Sequence, residues 1–467
     1  MNGTQFRIGT VALLLLLSVG CASDAKKTQP VADTGAGAGS DTIEASGDAS
    51  TDAGSGDGSG SGAPNDPTGC EPTAVVANPY RPFSCNYDVT QPAGITDLRS
   101  SCGVAGAGAA PQHVHLSFPS PSAATDVAVT WLTADDTRVS EVFVGTDPAA
   151  LTQRFGGVSY RVQGIAGRVV HEAHLCGLLP DTVYYYRVVG EATEAVHSFT
   201  TAPASDSVAP FRFAVAGDTR SLTGNAMWGQ ASEQIAAIAP DFTLFSGDAV
   251  YFGNQQPNWD SWFNASAAAL REFPLLPVNG NHEFLSLQYL AQFTLPNDEA
   301  NYHFRYGNAL FVMLNDYPEG DAAALEAGGA YLRSAMEANT DATWRIVVNH
   351  RAHYSSSVGH GSQLDVQEAW GPLIDSYHVD LVFNGHEHNY ERTQSLRAGE
   401  VVPDGSGTTY VVSAGLGAEL YDLAGDWFTR VSEKSETWTD VAVNGNSLTL
   451  TAHRLDGTVV DTLTLTK

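Results

Sequence analysis

The chain has 467 residues, 43% of them hydrophobic, with 52 acidic against 23 basic side chains and a formal net charge of −29. That length exceeds one ordinary core and predicts two or three domains, and the apolar fraction is that of a soluble globular protein. The acidic excess argues against a nucleic-acid partner, which needs a basic footprint. It leaves an anionic substrate open, because bound metal ions dominate their own local field.

Residues 1–21 read as an export signal. Arg7 supplies the positive end, residues 8–17 are mostly apolar, and Ser18-Val19-Gly20 precede Cys21. The pattern resembles a bacterial lipoprotein signal, in which Cys21 becomes a lipid anchor in the membrane. Ser18 departs from it, standing where Leu is usual. A plain secretory signal is the closer rival. A spanning helix is disfavoured because the run is short for a hydrocarbon core of roughly 30 Å. The expected location is therefore outside the cytoplasm, in the cell envelope or secreted.

Residues 22–69 carry Gly, Ser, Ala, Asp and Thr and no aromatic side chain. Such a stretch buries too little apolar surface to offset its ordering entropy and reads as a flexible acidic tether. Residues 70–110 read as an irregular Cys-containing extension. Beyond Cys21 the cysteines are Cys70, Cys85, Cys102 and Cys176. An even number in an exported chain predicts two disulfides with three possible pairings, of which Cys70 with Cys85 and Cys102 with Cys176 is the one expected here. The pairing stays open at this level.

Residues 111–204 alternate apolar and polar positions in short runs separated by turns, as in Val127-Ala128-Val129-Thr130-Trp131-Leu132 and Val183-Tyr184-Tyr185-Tyr186. This predicts an all-β sandwich. The stretch 175–187 looks like the E–F corner of a fibronectin type III-like domain, with Tyr as a bracing core residue. From 208 the pattern changes to apolar runs alternating with helical stretches at 224–239 and 322–339. That is the signature of an α/β domain extending to 467. Its last strands, 408–413, 438–443, 447–453 and 459–465, are expected to complete a second sheet, with Asn444-Gly445 as a hairpin turn.

Five polar motifs follow apolar runs in this domain: Gly217-Asp218-Thr219-Arg220, Gly247-Asp248 with Tyr251, Gly280-Asn281-His282-Glu283, Asn349-His350 and Gly385-His386-Glu387-His388. Each alone is weak. Gly-Asp is a common turn, Tyr251 is by itself a packing residue, and a lone Asn-His pair is usually surface loop. In order, and each at a strand end, they supply enough oxygen and nitrogen ligands for two metal ions sharing one carboxylate. A two-metal site of this kind is a hydrolase design, most often for phosphate esters.

The five motifs resemble the signature of the calcineurin-like metallophosphoesterases. Tyr251 and the run from Gly385 to Arg392 are similar to the purple acid phosphatase branch, as is a fibronectin-like domain ahead of the catalytic one. The resemblance covers about residues 111–467. It implies a four-layer domain with two β-sheets flanked by helices. It implies a first metal, iron(III), held by Asp218, Asp248, Tyr251 and His388. A second, divalent iron, zinc or manganese, would be held by Asp248, Asn281, His350 and His386. His282 and His360 are implied on the catalytic, substrate side, with His353 a neighbour. Two carboxylates and one phenolate would leave such a pair about two positive charges. That suffices to attract a phosphate and acidify a bound water, whose hydroxide attacks phosphorus in line.

Arg220 departs from the family pattern, which carries Gly there; it is read as a phosphate contact or a solvent-facing side chain. The expected function is hydrolysis of small phosphate monoesters, with a phosphodiesterase on the same scaffold as the alternative. A surface-binding lipoprotein with a decayed enzyme domain is disfavoured by the complete ligand set.

Overall fold

A computed structural model describes residues 75–101, 110–134, 137–193 and 195–467. The expected signal, the Cys21 anchor, the acidic tether, Cys70 and Cys102 lie outside these residues. Among the described residues no helix is long and apolar enough to cross a membrane.

Eight strands come first: β1 (Ile95–Ser101), β2 (Gln112–Ser117), β3 (Asp126–Ala134), β4 (Glu141–Gly145), β5 (Gln153–Val162), β6 (Arg168–Cys176), β7 (Val183–Val188) and β8 (His197–Thr200). They pair antiparallel in the order β2-β3-β6-β5-β4-β7-β8, with β1 also on β5. β5 serves both halves, pairing its start with β4 and its end with β1 and β6. Alternate residues, including Val127, Val129, Trp131, Val142, Val144 and Tyr186, enter one core, as a period of two requires.

Two expectations are corrected here. The extension before residue 111 is not wholly irregular, because β1 adds a strand to β5. Leu98 and Tyr80 join Val158, Tyr160 and Val162 in a small core of their own, which stabilises that addition. Cys85 pairs with Cys176, 5.3 Å away between Cα atoms, rather than with Cys70. The cause is tertiary: the extension folds back over the end of β6, where the Tyr87 hydroxyl meets His174 Nδ1 at 2.7 Å.

The remaining chain runs through β9 (Phe211–Ala216), α1 (Ala226–Ile238), β10 (Phe242–Phe245), α2 (Gln256–Leu270), β11 (Leu275–Pro277), α3 (Leu287–Gln292), β12 (Tyr302–Tyr306) and β13 (Ala309–Met313). It continues with α4 (Ala322–Ala338), β14 (Trp344–Val348), α5 (Leu364–Ser376), β15 (Leu381–Asn384), β16 (Tyr390–Thr393), β17 (Leu396–Arg397), β18 (Glu400–Val401) and β19 (Thr409–Ser413). The last strands are β20 (Thr429–Glu433), β21 (Thr437–Asn444), β22 (Ser447–Arg454) and β23 (Val459–Thr466). Two sheets result, ordered β11-β10-β9-β21-β22-β23 and β12-β13-β14-β15-β19-β16-β20.

The sheets face one another through aromatic residues. Phe213 of one meets Phe311 of the other edge-on at 5.2 Å, and Phe242 does the same. On β13 the alternate residues Leu310 and Val312 point the other way, into a second core with Leu332 and Met336 of α4 and Trp370 and Ile374 of α5. Trp228 of α1 stacks on Trp262 of α2 at 5.4 Å, and Phe245 of β10 packs edge-on against both, so these helices cover the first sheet's outer face. The result is helix, sheet, sheet, helix.

The closing strands divide between the sheets instead of completing one. β19 joins the second sheet, whereas β21, β22 and β23 extend the first beyond β9. The strand pattern records which residues are buried but not which edge a returning strand meets. Helices α2 and α3 are not among the helical stretches expected from sequence. Their apolar residues, Trp259, Trp262 and Tyr289, are spaced to bury one helical face.

Candidate metal centre

β9, β10 and β11 run parallel, as do β13, β14, β15 and β19. Their carboxyl ends therefore open on one edge of the domain, where loops of α/β sheets hold ligands. Asp218, Asp248, Asn281, His350 and His386 each stand a few residues beyond β9, β10, β11, β14 and β15. Every motif is delivered to one place by a buried strand.

The loops lie close enough that side chains at their glycines would collide. A Cβ on Gly280 would stand 2.3 Å from Asp248 Oδ1, and one on Gly385 would stand 2.4 Å from Asp218 Oδ2. Asp218, Asp248 and His386 themselves adopt left-handed backbone, with φ of 51°, 55° and 70°. Asp and His tolerate that region better than most residues, and strain held by surrounding structure concentrates at functional sites.

The side chains form two adjoining groups. In one, Asn281 Oδ1 is 3.0 Å from both His350 Nε2 and His386 Nδ1. Asp248 Oδ1 is 3.4 Å from His350 Nε2. In the other, His388 Nε2 is 3.4 Å from Asp218 Oδ1, with Asp248 Oδ2 on the far side of Arg220. One ligand atom each from Asp218, Asp248 and His350 lie within 4.8 Å of one another. His350 and His388 donate their Nδ1 hydrogens outward, to the carbonyls of Ser246 at 2.7 Å and Glu419 at 2.6 Å. Those bonds commit each Nδ1 as a donor and turn each Nε2 inward, the orientation of metal-bound imidazoles.

The local charges are consistent with a cation site. Burial opposes charging His350, but Asp248, Asp218 and Asp316 together raise it to about 9. Burial, then the positive field of His350 and His360, holds His386 far below its usual range. Asp218 is lowered despite its burial, by the His388 hydrogen bond and the charges around it. Acceptors and cations thus crowd together in a nearly dry pocket, where an unpaired charge is costly.

The other predicted positions fall on two sides. The His282 Nδ1–H bonds the Tyr251 carbonyl at 2.7 Å, so Nε2 faces inward, 3.9 Å from Asp248 Oδ2. Tyr251 packs edge-on to that ring at 5.1 Å. The exposed His360 ring lies 4.1 Å from His386 and borders the mouth. Arg220 is inside the site, engaging Asp248 and His388. His353 is a correction: it is fully buried between Trp370 and Tyr410, on the α5 side of the second sheet, and presents no surface to a substrate. Its place three residues after His350 carries the chain back into the core.

Supporting residues were harder to read from sequence. Glu283 accepts the backbone N–H groups of Asp248 and Gly280, both at 2.8 Å, and of Val250 at 3.2 Å. It ties the second and third motifs together. Burial, reinforced by the Asp248 charge, pushes its carboxyl up to about 7. Asp316 accepts from Asn349 Nδ2 at 2.8 Å and the Arg351 N–H at 2.7 Å, holding the His350 loop from below. Tyr421 stacks on His388 at 4.3 Å. Glu283 lies inside a motif and was legible; Asp316 and Tyr421 stand in loops with no local signal.

Residues 111–201 match the model for the purple acid phosphatase N-terminal domain, and residues 211–390 match the calcineurin-like phosphoesterase model. An uncharacterized protein of Mycobacterium tuberculosis is 30% identical over 339 residues, covering 61% of this chain and 62% of its own length. Purple acid phosphatase 15 of Arabidopsis thaliana is 30% identical over 286 residues, covering 52% of this chain and 53% of its own. The chain thus spans a little over half the length of these two relatives.

Among solved structures, the purple acid phosphatase PPD1 of yellow lupin (Lupinus luteus) superposes with a TM-score of 0.63 at 20% identity, covering 77% of this chain and 74% of that one. PhoD superposes with a TM-score of 0.57 at 16% identity, covering 76% and 93%. At those identities the likeness is one of fold. The chain belongs to the purple acid phosphatase-like calcineurin-like metallophosphoesterases. That membership implies a binuclear metal centre, and the residues fit it: two oxygen- and nitrogen-rich groups meet at the Asp248 carboxylate, with the outer histidine nitrogens already bonded away.

Proposed function

We propose that this chain is a metal-dependent hydrolase of small phosphate monoesters, acting outside the cytoplasm. The observation that carries the reading is the Asp248 carboxylate. Its Oδ1 faces His350 and accepts the His282 N–H at 3.0 Å, while its Oδ2 faces the Arg220 and His388 side. A carboxylate turned to two ligand groups at once is the donor that a binuclear centre requires. Asp218, Asp248, Tyr251 and His388 would hold one ion, iron(III) on the family pattern. Asp248, Asn281, His350 and His386 would hold a divalent one. The centre when loaded supplies charge stabilisation and an activated water.

The chain's own residues do the rest. His282, its Nδ1–H bonded to the Tyr251 carbonyl, can as an imidazolium hand its Nε2 proton to the departing oxygen and return to the neutral ring. His360 stands at the opposite lip for the same task or for binding a phosphate oxygen. Glu283 and Asp316 hold the loops so that these groups do not need to reorganise. Export is supported by the Cys85–Cys176 disulfide, which suits an oxidising compartment. The lipid anchor on Cys21 remains part of this reading. The domain at 111–204 is read as fibronectin type III-like, supported by the Tyr184 hydroxyl accepting from the Leu179 N–H at 2.9 Å, the bond of a tyrosine corner.

The test combines metal analysis of the purified full chain with paired assays on an aryl phosphate monoester and diester. Two ions per chain and at least roughly tenfold faster monoester turnover are expected. A preference for the diester selects the phosphodiesterase alternative. A chain that takes up neither iron, zinc nor manganese refutes the hydrolase reading. A visible charge-transfer band lost in Tyr251→Phe would identify iron(III) with a phenolate ligand; its absence removes that ion from the proposal.

A further inference from the structure

Arg220 does not point to solvent. Its side chain is only 16% exposed, and its Nε and Nη2 are turned into the site. Its backbone N–H donates to the Asp248 carbonyl at 3.1 Å. Nε donates to Asp248 Oδ2 at 3.2 Å, Nη2 lies 3.4 Å from His388 Nε2, and Cζ sits 5.3 Å over the Tyr251 ring. Three of the four groups assigned to the first metal therefore meet one guanidinium. The second group, Asn281, His350 and His386, makes its contacts within itself and with Asp248.

A guanidinium is always charged, is weakly hydrated and matches a carboxylate in geometry. Placed here it partly neutralises Asp248, and it opposes any cation brought to the same oxygen and nitrogen atoms. The opposition is sharpest for a trivalent ion, since like-charge repulsion grows with each unit of charge and is little screened in a buried site. Resting on the binuclear reading above, we propose that Arg220 is a resident counter-cation of the first half-site. The two half-sites then load unequally. The one built on Asn281, His350 and His386 fills first. The one built on Asp218, Tyr251 and His388 fills only by displacing the guanidinium from Asp248 and His388.

The test is calorimetric titration of the metal-free full chain with Mn2+, on wild type and on Arg220→Met, Arg220→Gly and Arg220→Lys, with melting temperatures in chelator. Wild type should take up two ions in steps separated on the order of tenfold or more in affinity. Arg220→Met and Arg220→Gly should tighten the weaker step by roughly tenfold, drawing the two together, while melting lower without metal because Asp248 loses its partner. Arg220→Lys keeps the charge with a shorter reach, so it should remain folded and fall between them. Wild-type affinities retained in all three variants overturn the inference and leave the binuclear reading intact. A wild-type chain that binds no ion refutes that reading and the inference together.

Discussion

At the scale of single residues, position in the site is set as much by supporting groups as by ligands. Glu283 is the clearest case. Three backbone donors from two motifs converge on one carboxylate, and the amide of Glu283→Gln would present its NH2 to at least one of them. We expect that variant to fold but to lose roughly 10–100-fold in metal affinity, as groups that orient ligands typically do. Metal titration checks it, and an unchanged affinity would show that the loops are held by packing alone. The candidate ligands were largely readable, because Asp218, Asp248, Asn281, His350, His386 and His388 sit in short motifs directly after apolar runs. His353 was misplaced because residue type and nearness in sequence to His350 say nothing of the turn that buries it. Arg220 was recognisable as a departure, but its target was not, since Asp248 and His388 are 28 and 168 residues away.

At the scale of elements, helix α2 links the core to the chemistry. The Trp262 Nε1–H donates to Thr219 Oγ1 at 2.9 Å, and the Thr219 hydroxyl donates to the Ala249 carbonyl at 3.0 Å. A helix on the outer face of the first sheet thus steadies both aspartate loops. Trp262→Phe should cost about 2 kcal/mol through the lost hydrogen bond and the space left by the indole. Denaturant unfolding measures that cost, and the first two motifs should loosen with it, seen as weaker metal binding. Stability lost with metal affinity unchanged would mean that the bond serves the core only. Sequence did not reveal α2 and α3, which are not among its expected helical stretches. Their buried face becomes meaningful only against the sheet and the strand-rich domain, as where Phe263 stacks on His113 of β2.

At the scale of the whole molecule, the two domains share an interface that includes a titratable cluster. His197 of β8 lies between Glu191 of its own domain and Glu272 just after α2, with nitrogen–oxygen distances of 3.1 and 3.7 Å. Burial opposes its charge, yet the two carboxylates raise it to about 9, above its ordinary value of 6.5. Glu272, although partly buried, is lowered from its ordinary 4.5 by the His197 and Ser198 hydrogen bonds. A raised histidine stabilises the fold fully below pH 6.5, and that contribution is lost as pH rises through about 9. The lowered carboxyl contributes above pH 4.5 and is lost as pH falls below it. His197→Gln should therefore lower the melting temperature by roughly 2 °C at pH 6 and leave it unchanged at pH 10. An equal shift at both pH values would assign the effect to packing rather than charge.

The sequence by itself determined the class of chemistry and the order of domains. Strand-end motifs carry both a local signal, an apolar run broken by Gly and a ligand, and a chemical identity that survives without coordinates. Only the tertiary structure decided how the closing strands divide between two sheets, which cysteine meets Cys176, that His353 is buried and that Arg220 turns inward. Each of those depends on contacts between residues far apart in the chain. Such contacts are chosen by which surfaces can be buried together, a property of the packed molecule that no local pattern of residues encodes.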